Sequence, residues 1–88
     1  MAVALDEGGI ELRWTPNTEP DLAGYLILRG TAGDATLAQI IEAPLEEARF
    51  IDRTVTPGAR YSYAVVAIDT ATPPNRSSES ERDEATAR

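Results

Sequence analysis

The chain has 88 residues, 42% of them hydrophobic, and a net charge of −7, which together predict one small folded domain that repels nucleic acid and anionic membranes. Cysteine, histidine and lysine are all absent, which removes thiolate, imidazole and Schiff-base chemistry together with zinc sites, so we expect no enzyme and no cofactor. No apolar run is long enough for a membrane span or the core of a signal peptide, so we expect no insertion into a membrane.

The first strong element is a strand that begins at Ile10. Ile10, Leu12 and Trp14 fall on one phase of a two-residue period, with charged residues between them. This alternation is typical of a half-buried strand and places Trp14 in the core. Residues 2–5 predict a short edge strand before it, joined by a glycine-containing turn at residues 6–9.

Two central strands follow farther along the chain. Residues 15–21 contain two prolines, which cannot donate to a strand ladder, so they predict a loop. Residues 25–29 then carry apolar side chains on both phases, as expected for a strand covered on both faces. The strongest strand signal runs over residues 61–68 and follows a proline-glycine turn at residues 57–58.

Weaker strands are predicted between these two. Residues 36–41 and 48–52 each have some strand character, and a polar connection that contains Pro44 separates them. A helix over residues 37–47 is the alternative. Pro44 disfavours that helix, and no capping residue opens it.

The C-terminal part of the chain is polar. Residues 77–86 predict an edge strand that is held through its backbone and frays into a linker. We therefore place the domain at residues 1–80 and interpret residues 81–88 as the end of the last strand or a linker. About seven short strands with proline and glycine turns describe an all-β antiparallel β-sandwich.

The two faces of the strands lead to different predictions. The inward phase predicts the structural core, which comprises Ile10, Leu12, Trp14, Tyr25, Ile27, Phe50, Tyr61, Tyr63 and Val65. The outward phase of the two central strands predicts an aliphatic stripe, a possible protein contact formed by Leu26, Leu28, Val66 and Ile68. The alternative is ordinary β propensity, with Arg29 and Gln39 shielding these side chains.

Carboxylates are the remaining candidates for chemistry. Glu46 with Glu47, or Asp21 with Asp69, offers a carboxylate pair, but solvated charges explain them better because no pocket-forming sequence surrounds them. Four oxygen ligands for calcium lie in or near loops: Glu19, Asp21, Asp52 and Asp69. They match no calcium loop, and we expect Asp21 and Asp52 to hold turns instead. We therefore predict no catalytic, cofactor-binding or metal residue.

From Ile10 to about Ser80 the chain resembles a fibronectin type III domain of the bacterial kind. Five motifs carry the resemblance and occur in the order and spacing of that family. They are Leu-Arg-Trp-Thr-Pro at residues 12–16, Asp-Leu-Ala-Gly-Tyr at residues 21–25, Phe-Ile-Asp at residues 50–52, Pro-Gly at residues 57–58 and Tyr-Ser-Tyr-Ala-Val at residues 61–65.

The resemblance implies an immunoglobulin-like sandwich of seven strands with fibronectin type III topology, in which Tyr61 forms a tyrosine corner, with its hydroxyl bonded to a backbone group upstream. Arg29 departs from the aromatic residue that is common in animal members. The resemblance also implies a non-catalytic structural spacer in a larger secreted or cell-envelope bacterial protein, with neighbouring domains of the parent chain as partners. The alternative is a protein-interaction or adhesion module that binds another protein through its outward face or its edge strand.

Overall fold

The computed structural model describes residues 1–88, which form seven strands and no helix. The strands are β1 (Ala2–Ala4), β2 (Ile10–Arg13), β3 (Leu22–Thr31), β4 (Ala38–Gln39), β5 (Arg49–Asp52), β6 (Arg60–Asp69) and β7 (Asp83–Thr86). One antiparallel sheet has the order β1-β2-β5 and the other has the order β4-β3-β6-β7. The prediction of an all-β antiparallel sandwich is confirmed, and the alternative helix over residues 37–47 is wrong. The structure contains no helix that could span a membrane.

The main core lies between the two sheets. Ile10 and Leu12 of β2 pack with Ile27 of β3 and Tyr63 of β6, and all four are at most 3% exposed. Burial of each such side chain stabilises the fold by about 1.5–3 kcal/mol. Four other predicted core residues are partly buried against them: Trp14, Phe50, Tyr61 and Val65. The ninth, Tyr25, is buried and meets Trp14 edge-on, with ring centroids 5.3 Å apart.

The connection between β4 and β5 crosses back onto β3. Tyr25 and Leu45 exchange two backbone hydrogen bonds, each 2.9 Å long. Gly24 makes this approach possible, because a Cβ at that position would lie 2.6 Å from the Leu45 carbonyl oxygen and 2.8 Å from the Pro44 Cβ. Contact with backbone cannot be relieved by a side-chain rotation. A larger residue at position 24 would therefore push this connection off β3.

The aliphatic stripe faces outward from the four-stranded sheet, but its side chains are buried rather than exposed as a contact surface. Leu26, Leu28, Val66 and Ile68 are 4–8% exposed. They form a second cluster on the outer face of the four-stranded sheet, together with Leu37 and Ala64. Leu37 covers the stripe because the connection between β3 and β4 folds over the sheet instead of projecting from it.

Two arginine bridges also cross this outer face. Arg76 donates to Gln39 Oε1 over 2.8 Å, and Arg82 donates to the carbonyl oxygens of Asp34 and Ala35 over 2.7 Å each. Both arginines start beside one edge of the sheet and reach residues at the opposite edge. Their aliphatic stems therefore lie over β6 and β3, where they keep water from the apolar stripe. Of the two residues that the alternative named as shields, Gln39 takes part through its bond from Arg76, whereas Arg29 points between the sheets.

The polar segment before β7 stays attached to β6 through two serines. Ser80 donates its backbone N–H to the Val65 carbonyl, and its Oγ accepts from the Val65 N–H, with both distances 2.9 Å. Ser77 makes the same pair of bonds with Ala67, again at 2.9 Å. In each case a hydroxyl replaces the backbone carbonyl that a regular strand would supply. The irregular segment thus supplies hydrogen-bond partners for the backbone N–H and C=O groups of Val65 and Ala67 in β6.

The last strand lies beyond the predicted domain boundary at residue 80. Strand β7 pairs with the first half of β6, in register from Arg60 opposite Thr86 to Tyr63 opposite Asp83. Ala85 and Ala87 are buried in the main core. Of the two interpretations of residues 81–88, the end of the last strand describes residues 83–87, and a linker does not.

Candidate functional site

A buried charge joins the two sheets. Asp52 of β5 is 2% exposed, and its Oδ2 accepts hydrogen bonds of 2.8 Å from Arg29 Nη1 and from the Tyr63 hydroxyl. Its Oδ1 accepts from the backbone N–H and the hydroxyl of Thr54, at 3.0 and 2.7 Å. Asp52 thus holds the turn that follows it, as expected from its sequence, and also contacts both long strands of the other sheet.

The charge of Asp52 is maintained by these donors. Burial alone would raise the pKa of Asp52, but the hydrogen bonds from Arg29, Thr54 and Tyr63 outweigh burial and hold the pKa below its ordinary value. Burial and the hydrogen bond to Asp52 raise the pKa of Tyr63, which keeps its hydroxyl protonated as a donor. Four donors occupy the carboxylate, so its arrangement suits a structural ion pair rather than a base or a nucleophile.

The same cluster includes Tyr61. Its hydroxyl accepts from the Thr56 backbone N–H over 2.8 Å, and this bond lowers the pKa of Tyr61. The Arg29 guanidinium lies 5.2 Å from the centre of the Tyr61 ring, within range of a cation–π interaction. Arg29 therefore links the carboxylate of one sheet to an aromatic side chain of its own sheet.

The other carboxylate candidates lie at the end of β6 or in loops. Asp69 accepts from the backbone N–H groups of Ala71 and Asn75, at 3.1 and 2.8 Å, and from Asn75 Nδ2 at 2.9 Å. The bonds from Asn75 lower the pKa of Asp69. Asp21 uses its backbone carbonyl to accept from Thr70 over 2.9 Å. The acidic residues do not gather in threes or more in a way that could hold a metal ion, and Glu46 and Glu47 are exposed.

A cleft opens on one side of the sandwich, which we call the side cleft. Its lower part has a volume of about 450 Å³ and lies between Trp14 and Thr15 on one wall and Ser80 and Asp83 on the other. Its upper part, of about 320 Å³, continues past Trp14 towards Asn17. The cleft lies at the seam between the sheets, beside the end of β2.

Trp14 is the central residue of the side cleft. It lines both parts, it is only partly buried, and its Nε1 has no hydrogen-bond partner although that atom is itself inaccessible to water. Sequence reasoning placed Trp14 in the core and missed the opening beside it. Local alternation carries no signal for this opening, because it does not show which segments cover the position beside Trp14. No protein-family model matches the chain.

Proposed function

We propose that this chain is a fibronectin type III module that acts as a non-catalytic spacer in a larger secreted or cell-envelope bacterial protein. The division of the strands into sheets of three and four supports the fold family. Tyr61 supports it further. This residue is second in the sixth strand, and its hydroxyl is bonded to a backbone group five residues upstream, as in the tyrosine corner of such sandwiches.

The observation that carries the spacer role is the direction of the two outermost strands. The Met1 amino group lies 2.6 Å from Asp83 at the start of β7, and Arg88 pairs with Asp6 just after β1. Strands β1 and β7 therefore run side by side in the same direction. Segments joined to the two ends would depart in opposite directions, so the domain would stand between them.

The shape and cross-links of the domain suit this role. Its principal extents are 39 × 26 × 20 Å. The ion pair of Arg29 and Asp52 connects the two sheets, and the two arginine bridges tie the edges of the larger sheet together. These contacts make the sandwich a single body of fixed length. The alternative of binding through the aliphatic stripe lacks accessible surface, because its four side chains are at most 8% exposed.

The spacer role is tested by the length of tandem copies. Two, three and four copies joined directly end to end are compared by small-angle X-ray scattering with copies joined by a flexible glycine-serine linker. For the direct fusions we expect the maximum dimension to rise with each copy by a constant step close to the 39 Å long axis. A step near the 20 Å short axis would mean side-by-side packing and would contradict the proposal.

A further inference from the structure

The outer face of the three-stranded sheet has no covering segment. Val3 lies opposite Glu11, and Glu11 lies opposite Ile51, so these three side chains form a row across the face. Val3 is 43% exposed. Arg13 and Arg49 form the next row, with 58% and 50% of their side chains exposed. The other sheet differs, because the arginine bridges and the connection between β3 and β4 close its outer face.

Two like charges lie side by side on this open face. Arg13 and Arg49 are directly opposite each other on β2 and β5, an arrangement that destabilises an antiparallel pair of strands. Glu11 offsets part of this repulsion, because one of its oxygens accepts from Arg49 Nε over 2.7 Å and the other lies 3.4 Å from Arg13 Nε. One carboxylate therefore serves two guanidinium groups. The Nη donors of both arginines make no hydrogen bond and are free to bind another carboxylate.

Arg53 adds a third positive charge to the same face. It follows β5 on the phase of Arg49 and Ile51, and its Cγ lies 3.7 Å from the place that a Cβ on Gly9 would occupy. Its guanidinium forms no ion pair. We call this surface the basic face, and it comprises Val3, Glu11, Arg13, Arg49, Ile51 and Arg53. Three arginines against one glutamate give it a charge of +2, so with −7 for the whole chain the remaining residues carry −9.

The connection between β4 and β5 carries the opposite charge. Glu42, Glu46 and Glu47 are all exposed, and none of them forms an ion pair. Pro44 is exposed between them. We call residues 42–47 the acidic connection. It contains no arginine, so it presents a charge of −3 around an apolar ring.

The acidic connection and the basic face are neighbours that do not neutralise each other. The connection leads directly into β5, with one residue between Glu47 and Arg49. Its backbone is held on β3 of the other sheet by the two bonds between Leu45 and Tyr25, and no ion pair joins it to the face. Two unpaired surfaces of opposite charge thus lie side by side on one domain. Each of them complements the other surface of a second copy.

The net charge of the chain does not prevent such a contact. Two copies with a charge of −7 each repel, but at an ionic strength of about 0.15 M the Debye length is only about 8 Å. The shortest extent of the domain is 20 Å. Charges on the far sides of two domains are therefore screened, whereas carboxylates and guanidinium groups in direct contact are not. The local match between the acidic connection and the basic face outweighs the repulsion.

We propose that the basic face binds the acidic connection of a second copy of this chain. The unpaired carboxylates of the connection accept from the free guanidinium donors, and Pro44 of the second copy packs on Val3 and Ile51. Because the two surfaces are neighbours on each domain, a two-fold axis between the copies forms both contacts at once. This lateral pairing is independent of the spacer role, which uses the two ends of the domain.

Charge reversal on each surface tests the pairing. The face-reversed variant carries Arg49→Glu with Arg53→Glu, and the connection-reversed variant carries Glu42→Arg with Glu46→Arg. Sedimentation velocity follows the parent chain and both variants from about 10 μM to about 1 mM, because contacts built on exposed ion pairs are weak. We expect the parent chain to dimerise reversibly towards the upper end of this range. Each variant should dimerise more weakly by about tenfold or more.

An equimolar mixture of the two variants is the most informative sample. In the mixture the acidic face of one variant meets the basic connection of the other, and the second pair of surfaces keeps its original charges. Both contacts are then complementary again, so we expect a heterodimer with about the affinity of the parent chain. Thermal unfolding verifies that each variant is folded. The connection-reversed variant leaves every strand unchanged.

A third variant separates these contacts from the effect of net charge. Glu19→Arg with Glu81→Arg replaces two exposed glutamates that lie outside both surfaces and form no ion pair. Like the connection-reversed variant, it changes the net charge from −7 to −3. We expect it to dimerise at least as well as the parent chain. Net charge alone would strengthen association in both variants, which is the opposite of the result expected for the connection-reversed variant.

Three results would overturn the proposal. The first is a parent chain that stays monomeric over the whole range, because a different acidic partner would then be the occupant of the basic face. The second is an equal loss of association in the Glu19→Arg, Glu81→Arg control. The third is a mixture of folded face-reversed and connection-reversed chains that stays monomeric. The spacer role is tested separately by the length of tandem copies built from the face-reversed variant.

Discussion

Arg29 and Asp52 form an ion pair between the two sheets, with Nη1 2.8 Å from Oδ2. The carboxylate is 2% exposed, whereas about a quarter of the arginine side chain reaches solvent. Arg29 has the same strand phase as Tyr25 and Ile27, so it occupies a position that would otherwise hold a core side chain. Tyr63 and Thr54 supply the remaining donors to Asp52, which makes the pair part of a satisfied network.

Removal of the carboxylate charge should destabilise the fold. In Asp52→Asn the Arg29 guanidinium and the Tyr63 hydroxyl lose their anionic acceptor, and we expect the free energy of unfolding to fall by about 2–3 kcal/mol, less than for a fully buried pair because Arg29 is partly solvated. Urea unfolding measures this change. Glu46→Gln, on an exposed residue without an ion pair, should stay within about 0.5 kcal/mol of the parent chain. Equal effects of the two substitutions would contradict a structural role for the pair.

Acid should weaken the domain through the same group. The pKa of Asp52 is lowered in the folded state, so its contribution is complete above the unfolded value of about 3.9 and is lost as the pH falls through the folded value. We expect the urea midpoint of the parent chain to drop between about pH 5 and pH 2 more steeply than that of Asp52→Asn. Parallel profiles would show that other carboxylates dominate acid unfolding.

The aliphatic stripe should behave as core in mutagenesis. Leu28 is 7% exposed, so Leu28→Ala should cost about 2–4 kcal/mol of unfolding free energy by leaving a cavity under Leu37. Val3 is 43% exposed, and Val3→Ala should cost less than about 0.5 kcal/mol. Chemical denaturation compares the two directly. A near-neutral Leu28→Ala would mean that the outer face is open in solution.

Ser77 and Ser80, whose hydroxyls replace backbone carbonyls as acceptors, should each contribute to the stability of the fold, whereas Ser78 between them should not. Ser80→Ala removes the acceptor for the Val65 N–H, and we expect a loss of about 1–2 kcal/mol. Amide hydrogen exchange at Val65 should accelerate in the same variant. Ser78 donates no hydrogen bond from its hydroxyl, so Ser78→Ala serves as the control and should leave both quantities unchanged. An unchanged exchange rate at Val65 in Ser80→Ala would show that the Ser80 hydroxyl does not act as the acceptor for the Val65 N–H.

Local pattern was sufficient to predict strands β2, β3 and β6 and the side chains that face between the sheets, because a two-residue period assigns every side chain to a face. The same pattern could also have placed Arg29 inward, since it continues the phase of Tyr25 and Ile27. The coverage of the outer face could not be predicted this way. It depends on Arg82 meeting Asp34 and Ala35, which lie 48 and 47 residues away along the chain.

The side cleft was missed for a related reason. Alternation shows which side of β2 Trp14 faces, but it does not show whether another strand covers that position. Coverage depends on the segments that pack beside that position, and these include Ser80 and Asp83 from the distant C-terminal part of the chain. Of the buried polar network, only the turn held by Asp52 was predicted, because short carboxylates commonly bond to the backbone of a following turn. Its partners Arg29 and Tyr63 come from distant strands.

The two arginine bridges have a consequence for the order in which the domain can be completed. Their donors, Arg76 and Arg82, lie near the end of the chain, whereas the apolar side chains they cover begin at Leu26. During synthesis from the N-terminus, both central strands emerge from the ribosome before either arginine does. The apolar outer face of the nascent sheet therefore stays exposed to water until the segment that carries Arg76 and Arg82 has been synthesised. During that interval the exposed apolar surface can bind chaperones or associate with other nascent chains.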